Sequence, residues 1–341
     1  MANILLTRQA VLLVKSETTN GSFQNPDASN AVLTTIPTFS FDIETYEREM
    51  SRSSLSPLPP RLTNIDVNIS FSCEIKNTDD NNAPEVAPLL KACGFHEYDE
   101  TSTEAGVYIY GLKTEYDDIK SCSMEFYWGG HMYDISGCIG NVSCAFEAGG
   151  IGLYTFEMKG KYRGHAQYSS NTSMITDPVY DTSLPPLCST AEVSWGGDTN
   201  LDCSKLEFSL NNEIQAIRNL GDAEPTSQFF FISSRKPSGS MDPLCDKSAS
   251  PNPDWIPLLE DSTQKKASII LNSGSGNHEV AFYFGGAKSG ADIDQSASVN
   301  EQNVVTGLTF DDDAGVRRFG ITFAMTGTFL DGDDELWIKY T

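Results

Sequence analysis

"YTFEMKGKY" (Tyr154–Tyr162) and "ITFAMTGTF" (Ile321–Phe329) are one phrase written twice, Thr-Phe-x-Met-x-Gly-x-aromatic, with Thr155 and Thr322 separated by 167 residues in a chain of 341. Two further stretches return at almost the same distance. "FSFDI" (Phe39–Ile43) matches "LEFSL" (Leu206–Leu210) at Phe39/Leu206, Phe41/Phe208 and Ile43/Leu210, and "PEVAPLL" (Pro84–Leu90) returns as "PDWIPLL" (Pro253–Leu259). Three matches in one order at nearly one offset mark an internal duplication. They divide the chain into residues 1–180 and 181–341. The Ser/Thr/Pro-rich "YSSNTSMITDPVYDTSLPPL" (Tyr168–Leu187), which has no sustained period, reads as the linker between them.

The duplicated phrases are strands. In "DVNISFSCEIK", Val67, Ile69, Phe71, Cys73 and Ile75 alternate with Asp66, Asn68, Ser70, Ser72, Glu74 and Lys76. Period two over that length is a half-buried strand of an antiparallel sheet. "YTFEMK" and "FGITFAM" alternate in the same way, and "KASIIL" and "EVAFYF" read as a hairpin across "NSGSGNH" (Asn272–His278). "APEVAPLLKACGF" is a short-helix signal: proline tolerable in the first turn, Leu89, Leu90 and Cys93 at helical spacing, and Gly94 as a stop. "PDWIPLLED" is its counterpart. The stretch His96–Ile119 has no match of equal length in the second half, and "EREMSRSSLSPLPPR" (Glu47–Arg61) is too long for an ordinary hairpin loop.

Charge excludes one large class of function. With 47 Asp+Glu against 23 Lys+Arg, the formal net charge is −24, and a groove gripping phosphates needs the opposite. Such a surface repels nucleic acid or serves solubility. No stretch reaches the roughly 18 uninterrupted apolar residues of a membrane span. The opening "MANILLTRQAVLLVKSETT", broken by Arg8 and Lys15, reads as a strand or an arm instead of an export signal. Reduced thiols are then the expectation for the eight cysteines, while their even number and four Asn-x-Ser sequons (Asn20, Asn68, Asn141, Asn171) support an alternative extracellular adhesin or surface-layer module.

Catalytic and metal patterns fail on spacing. Cys122, His131, Cys138 and Cys144 lack the short paired spacing of zinc sites, and Cys138 and Cys144 stand in phase with Val142 and Phe146 on an apolar strand face. The four histidines form no metalloprotease motif, Ser275 lacks the nucleophile-elbow spacing, and "DDD" (Asp311–Asp313) and "DGDDE" (Asp331–Glu335) do not space ligands around one ion. The expectation is a protein that is not an enzyme, with no cofactor and no metal.

The order of "TFSFDIETYEREMSRSSL", a Pro-rich loop, "RLTNIDVNISFSCEIK", a helix with "PLLKACGF", "GLYTFEMKGKY", the entry "LPPLCSTAEVSWGG", "LDCSKLEFSLNNEIQAI", "ISSRKPSGSMDP" and the close "GDDELWIKYT" resembles the major tail tube proteins of long-tailed, siphovirus-type bacteriophages, in the version with two tube domains per chain. The resemblance covers nearly the whole chain. It implies a mainly β protein of two tandem tube-type β-sandwich or half-barrel domains, each with a short flanking helix, whose sheets join across chains into a ring barrel. It implies a ring of three chains imitating sixfold symmetry, with a hexamer as the alternative, and rings stacked into a tube that passes DNA without binding it specifically. The implied partners are further copies, the tape-measure, tail-tip and terminator proteins; the implied location is the virion tail, assembled in the bacterial host cytoplasm without membrane insertion. Candidate lumen residues are Asp66, Asn68, Ser70, Ser72, Glu74, Thr155 and Glu157. Arg48, Arg52, Leu55 and Arg61 are the candidates for stacking onto the next ring, with Met1–Asn30 as a possible second stacking arm.

Overall fold

Period-two alternation dominates the chain, and strands dominate the computed structural model, which describes residues 10–77, 82–100, 104, 106–167, 177–220, 229–245, 253–272, 279–295, 302–328 and 332–341. The first half runs β1 (Ala10–Ser16), β2 (Ala31–Val32), β3 (Thr38–Tyr46), β4 (Arg61–Glu74), α1 (Ala87–Ala92), β5 (Phe95–Asp99), β6 (Tyr108–Leu112), β7 (Cys122–Trp128), β8 (His131–Glu147) and β9 (Leu153–Gln167). The second runs β10 (Glu192–Trp195), β11 (Asp198–Thr199), β12 (Cys203–Ser209), β13 (Glu213–Ile217), β14 (Phe229–Ser234), β15 (Ser238–Pro243), α2 (Trp255–Glu260), β16 (Ala267–Asn272), β17 (Glu279–Phe284), β18 (Ala287–Ser289), β19 (Asp292–Asp294), β20 (Asn303–Asp313), β21 (Val316–Met325) and β22 (Leu336–Tyr340).

The repeated phrases land on elements with the same neighbours. β3-β4-β9-β8 is one antiparallel run of four strands, and β12-β15-β21-β20 is its copy. β2-β1-β7-β8 likewise has its counterpart in β11-β10-β16-β17. Where the halves differ, the reason is visible. β8 is a single 17-residue strand whose first part pairs with β7 and whose last part pairs with β12, with a register shift between Ser136 and Ile139 where it bends. In the second half those two tasks fall to separate strands, β17 and β20. The β5–β6 hairpin fills the stretch without a counterpart, and it pairs through β6 with β22, which in turn pairs with β17.

The short helices form as their sequences dictate. Pro88 sits in the first turn of α1, where no N–H is needed, and Gly94 follows at φ +100°, a conformation that costs other residues a steric clash. Asp254 caps α2 by accepting from the Ile256 amide. The start of the chain departs from the arm expectation: β1 pairs along seven positions with β7, and Leu12, Leu13 and Val14 are buried. Over Ala10–Ser16 the strand reading therefore holds, and the residues from Glu17 to Asp27 run as turn and coil beside it. Residues 1–9, 168–176 of the linker and 273–278 of the β16–β17 turn lie outside the described residues.

One hydrophobic core runs through both halves. At its centre Phe282 of β17 meets Phe146 of β8, Tyr154 of β9 and Phe208 of β12, with ring centroids 5.4, 6.0 and 5.5 Å away. Polar contacts tie the halves as well. The Tyr154 and Tyr340 hydroxyls share a hydrogen bond of 2.7 Å, and the Asn212 amide donates to the carbonyls of Cys93 and Gly140. Arg235 reaches the Lys113 carbonyl, Asp333 and Glu335, while Thr114 donates to Asp333. The Glu17 carboxylate, buried beside β7, accepts from Ser121, Ser123, Gly137 and Gly21 at 2.5–2.8 Å and so fixes β1 against the bend of β8.

Two predictions follow from this shared interior. Phe282→Ala should cost about 3–5 kcal/mol, as large aromatic truncations do, and urea unfolding should remain one transition for both halves. Two separate transitions would refute the common core. Asp333 behaves differently with pH. Burial pulls its carboxyl up, but the hydrogen bonds from Thr114 and Arg235 outweigh this and leave it below the usual value of 3.8. A lowered folded-state value means the stabilisation is whole above the unfolded value and disappears as pH falls through the folded one. Asp333→Asn should therefore be less stable than the parent at pH of about 7, with the gap in urea midpoints closing below about pH 4.

Candidate functional site

The eight strands β3-β4-β9-β8-β12-β15-β21-β20 make one continuous sheet across both halves. One face is the core side: Ile69, Phe71, Phe156, Val142, Phe208 and Phe323 are all buried there. Period two puts the opposite face in the open, and the register lines its residues into rows that cross from one half to the other. One row is Ser72, Thr155, Ser143, Ser209 and Ser238, on β4, β9, β8, β12 and β15 in turn. The next is Glu74, Leu153, Ala145, Glu207, Ser240 and Thr322. Across the first row the Ser72 and Thr155 hydroxyls bond at 2.9 Å.

The face is therefore small, hydroxyl-rich and acidic. Glu157 and Glu147 are exposed, and Glu74 and Glu207 are partly so. Its lysines are drawn to neighbouring carboxylates: Lys159 lies 2.8 Å from Asp42 and Lys205 lies 2.6 Å from Glu207. Asp242 is spent on structure, its carboxylate filling the bulge of β12 by accepting the Ser204 and Lys205 amides at 2.8 and 2.6 Å.

Of the residues singled out from sequence, Asn68, Ser70, Ser72, Glu74, Thr155 and Glu157 share this face. Asp66 does not belong with them. It is 1% exposed, and its carboxylate accepts from the Asn64 side chain at 2.6 Å. The physical reason is the β13–β14 hairpin, which folds across that end of the sheet. Arg218 forks onto Glu44 of β3 through two bonds of 2.7 Å, holding the Glu44 carboxyl below its usual range, and Lys159 lies over the Phe230 ring. A carboxylate at Asp66 is roofed, so alternation alone assigned it wrongly.

The β13–β14 hairpin occupies, in the second half, the place that loop 47–60 takes in the first; both connect the first two strands of a four-strand run. The loop is exposed except at the half-buried Leu58, with Leu55 wholly in solvent; Arg48 within it and Arg61 just after it are exposed too. Arg52 is used within the loop, donating to the Ser56 and Pro57 carbonyls. Arg48, Arg52 and Leu55 lie in the loop that joins β3 to β4, and Arg61 opens β4 opposite Tyr46.

Among the described residues, no three or more His, Cys, Asp or Glu side chains are placed to hold a metal ion. Cys73, Cys93, Cys122, Cys138 and Cys144 are buried, and burial pushes each thiol up, which makes them core side chains and poor nucleophiles. No helix among the described residues is long and apolar enough to cross a membrane.

Two residues on the open face lend themselves to a test. Glu157→Lys and Glu207→Lys change solvent-facing positions, so each should leave the melting free energy within about 0.5 kcal/mol of the parent. Together they should raise retention on an immobilised polyanion at low salt, measured as the elution shift on a heparin column.

A family model described as phage tail tube protein matches residues 7–255, from before β1 to the first residue of α2. Among curated proteins, none matches the sequence.

Proposed function

The chain belongs to the phage tail tube protein family, and from that premise we propose that it closes into rings with its own copies, stacks those rings into the tail tube, and presents the open face of the eight-strand sheet to the channel through which DNA leaves the virion. It is a structural protein of the virion tail; the ring, its copy number and its channel are the proposal. The observation that carries it is the continuity of the sheet. One chain already joins two four-strand units edge to edge, and among the described residues the sheet ends on an open edge at each side, β3 and β20.

Three such chains make a ring of six equivalent four-strand units. Closure satisfies every edge, which an isolated chain cannot do. The rows of serine, threonine and glutamate then run around the lumen. Their chemistry suits a conduit: hydroxyls solvate without gripping, and carboxylates repel phosphate over about a Debye length, roughly 8–10 Å at physiological salt. Asn68, Ser70, Ser72, Glu74, Thr155 and Glu157 are the lumen residues on this reading, and Asp66 leaves the set. Arg48, Arg52 and Leu55, in the loop that joins β3 to β4, and Arg61, which opens β4, are the proposed contact to the adjacent ring. That contact is heterologous and does not close on itself, which is the condition for a tube. The protein needs no cofactor and performs no catalysis in this role. The tape-measure, tail-tip and terminator proteins are its proposed partners beyond its own copies, and assembly takes place in the bacterial host cytoplasm.

Electron microscopy of purified protein, with light scattering on the same sample, tests this. Rings or hollow tubes with a mass at a multiple of three chains are expected. A protein that stays monomeric at high concentration, also after tail-tip complexes are added, would sink the proposal.

A further inference from the structure

We propose that β20 of one copy pairs antiparallel with β3 of the next, in the register that β8 and β12 use within the chain, so that Phe310 faces Phe39, Thr309 faces Ser40 and Leu308 faces Phe41 of the neighbouring copy. This rests on the ring reading above and gives it a residue-level interface.

The register follows from the duplication. Inside the chain, Phe146, Ala145 and Cys144 of β8 stand opposite Leu206, Glu207 and Phe208 of β12. The repeat carries β12 onto β3, so Leu206, Glu207 and Phe208 correspond to Phe39, Ser40 and Phe41. It also carries β9 onto β21, and the partners of those strands fix the rest. Tyr154 opposes Cys144 as Ile321 opposes Leu308. Counting outward from that pair makes Thr309 and Phe310 the counterparts of Ala145 and Phe146.

Exposure separates the used junction from the open ones. Phe208 is 3% exposed and its counterpart Phe41 is 42%; Phe146 is 3% exposed and its counterpart Phe310 is 53%. Leu210 is fully buried, and its counterpart Ile43 is exposed. Phe41, Ile43 and Phe310 are thus left in solvent at the chain's outer edges, whereas Phe39 and Leu308, the counterparts of Leu206 and Cys144, are already half-buried against the core. Among the described residues β3 pairs with β4 alone and β20 with β21 alone, apart from a single bridge between Asn303 and Lys265 at the start of β20. Two bare edges with matching unburied aromatics are an aggregation hazard unless a partner covers them. The occupant is a second copy of this chain, because the chain itself contains a worked instance of the same contact.

The test is a pair of cysteines. Ser40→Cys and Thr309→Cys lie on the open face and touch no core side chain. In the double variant, a short bifunctional thiol reagent should shift the chain on a non-reducing gel from monomer to a series of covalent multimers ending at the ring mass, while either single variant stays monomeric. A displaced pair, Ser40→Cys with Asp313→Cys, should give no such series. Cross-linking of the displaced pair, or none in the first pair while microscopy still shows rings, would overturn the register and leave ring assembly standing. A chain that forms no rings at all would overturn both. Phe310→Asp supplies a second arm: its melting should match the parent while rings are lost, and rings that persist would overturn the proposal.

Discussion

A β-sheet edge is a row of unpaired amides and carbonyls, and the molecule is organised around where its edges go. Five paired positions between β8 and β12 convert two four-strand units into one sheet. Everything else depends on that ladder. It places Phe146 beside Phe208 and lets Phe282 fill the space beneath both, with each ring contributing the order of 1.5–3 kcal/mol on burial. It also sets the register of the open face, because a slip of one residue would turn the serine row inward and the phenylalanines outward.

The two halves are alike where the long sheet is built and unlike where it is backed. In the first half the bent β8 feeds both layers, and the β5–β6 hairpin is added. In the second, β17 and β20 are separate strands, and β22 runs between β17 and β6. β22 thus closes the back of the chain as β12 closes its front, and the Tyr154–Tyr340 bond lies between the two closures. The two units are thus joined at both layers within one chain, by β8–β12 in front and by β22–β6 behind.

Much of this was legible in the sequence, and the failures have causes. The repeats, the alternating strands of β4, β9 and β21, and both helices depend on neighbours close in sequence, and each was readable from local pattern. The stretch His96–Ile119 was recognisable as an addition because it interrupts the offset. Asp66 was misread because its burial comes from β13–β14, more than a hundred residues away, laid over a face that local alternation marks as open. Glu17 was missed for a similar reason: its partners Ser121, Ser123 and Gly137 converge only after folding. Met1–Asn30 held two readings because an interrupted apolar run suits an arm as well as a strand. Its burial beside β7 decides between them from Ala10 onward.

Fusing two four-strand units in one chain changes how the long sheet is assembled. The β8-to-β12 junction is intramolecular and forms at an effective concentration no dilution can lower. At the outer edges of the same sheet, Phe41 of β3 and Phe310 of β20 stay exposed. Fusion also frees the halves to diverge. The eight-strand sheet keeps its repeat, while the layer behind it does not. The β5–β6 hairpin and β22 have accumulated there, on one side of the duplication only. The duplication is therefore close to exact along the eight-strand sheet and broken in the layer behind it, so the two halves share one open face and carry different backs.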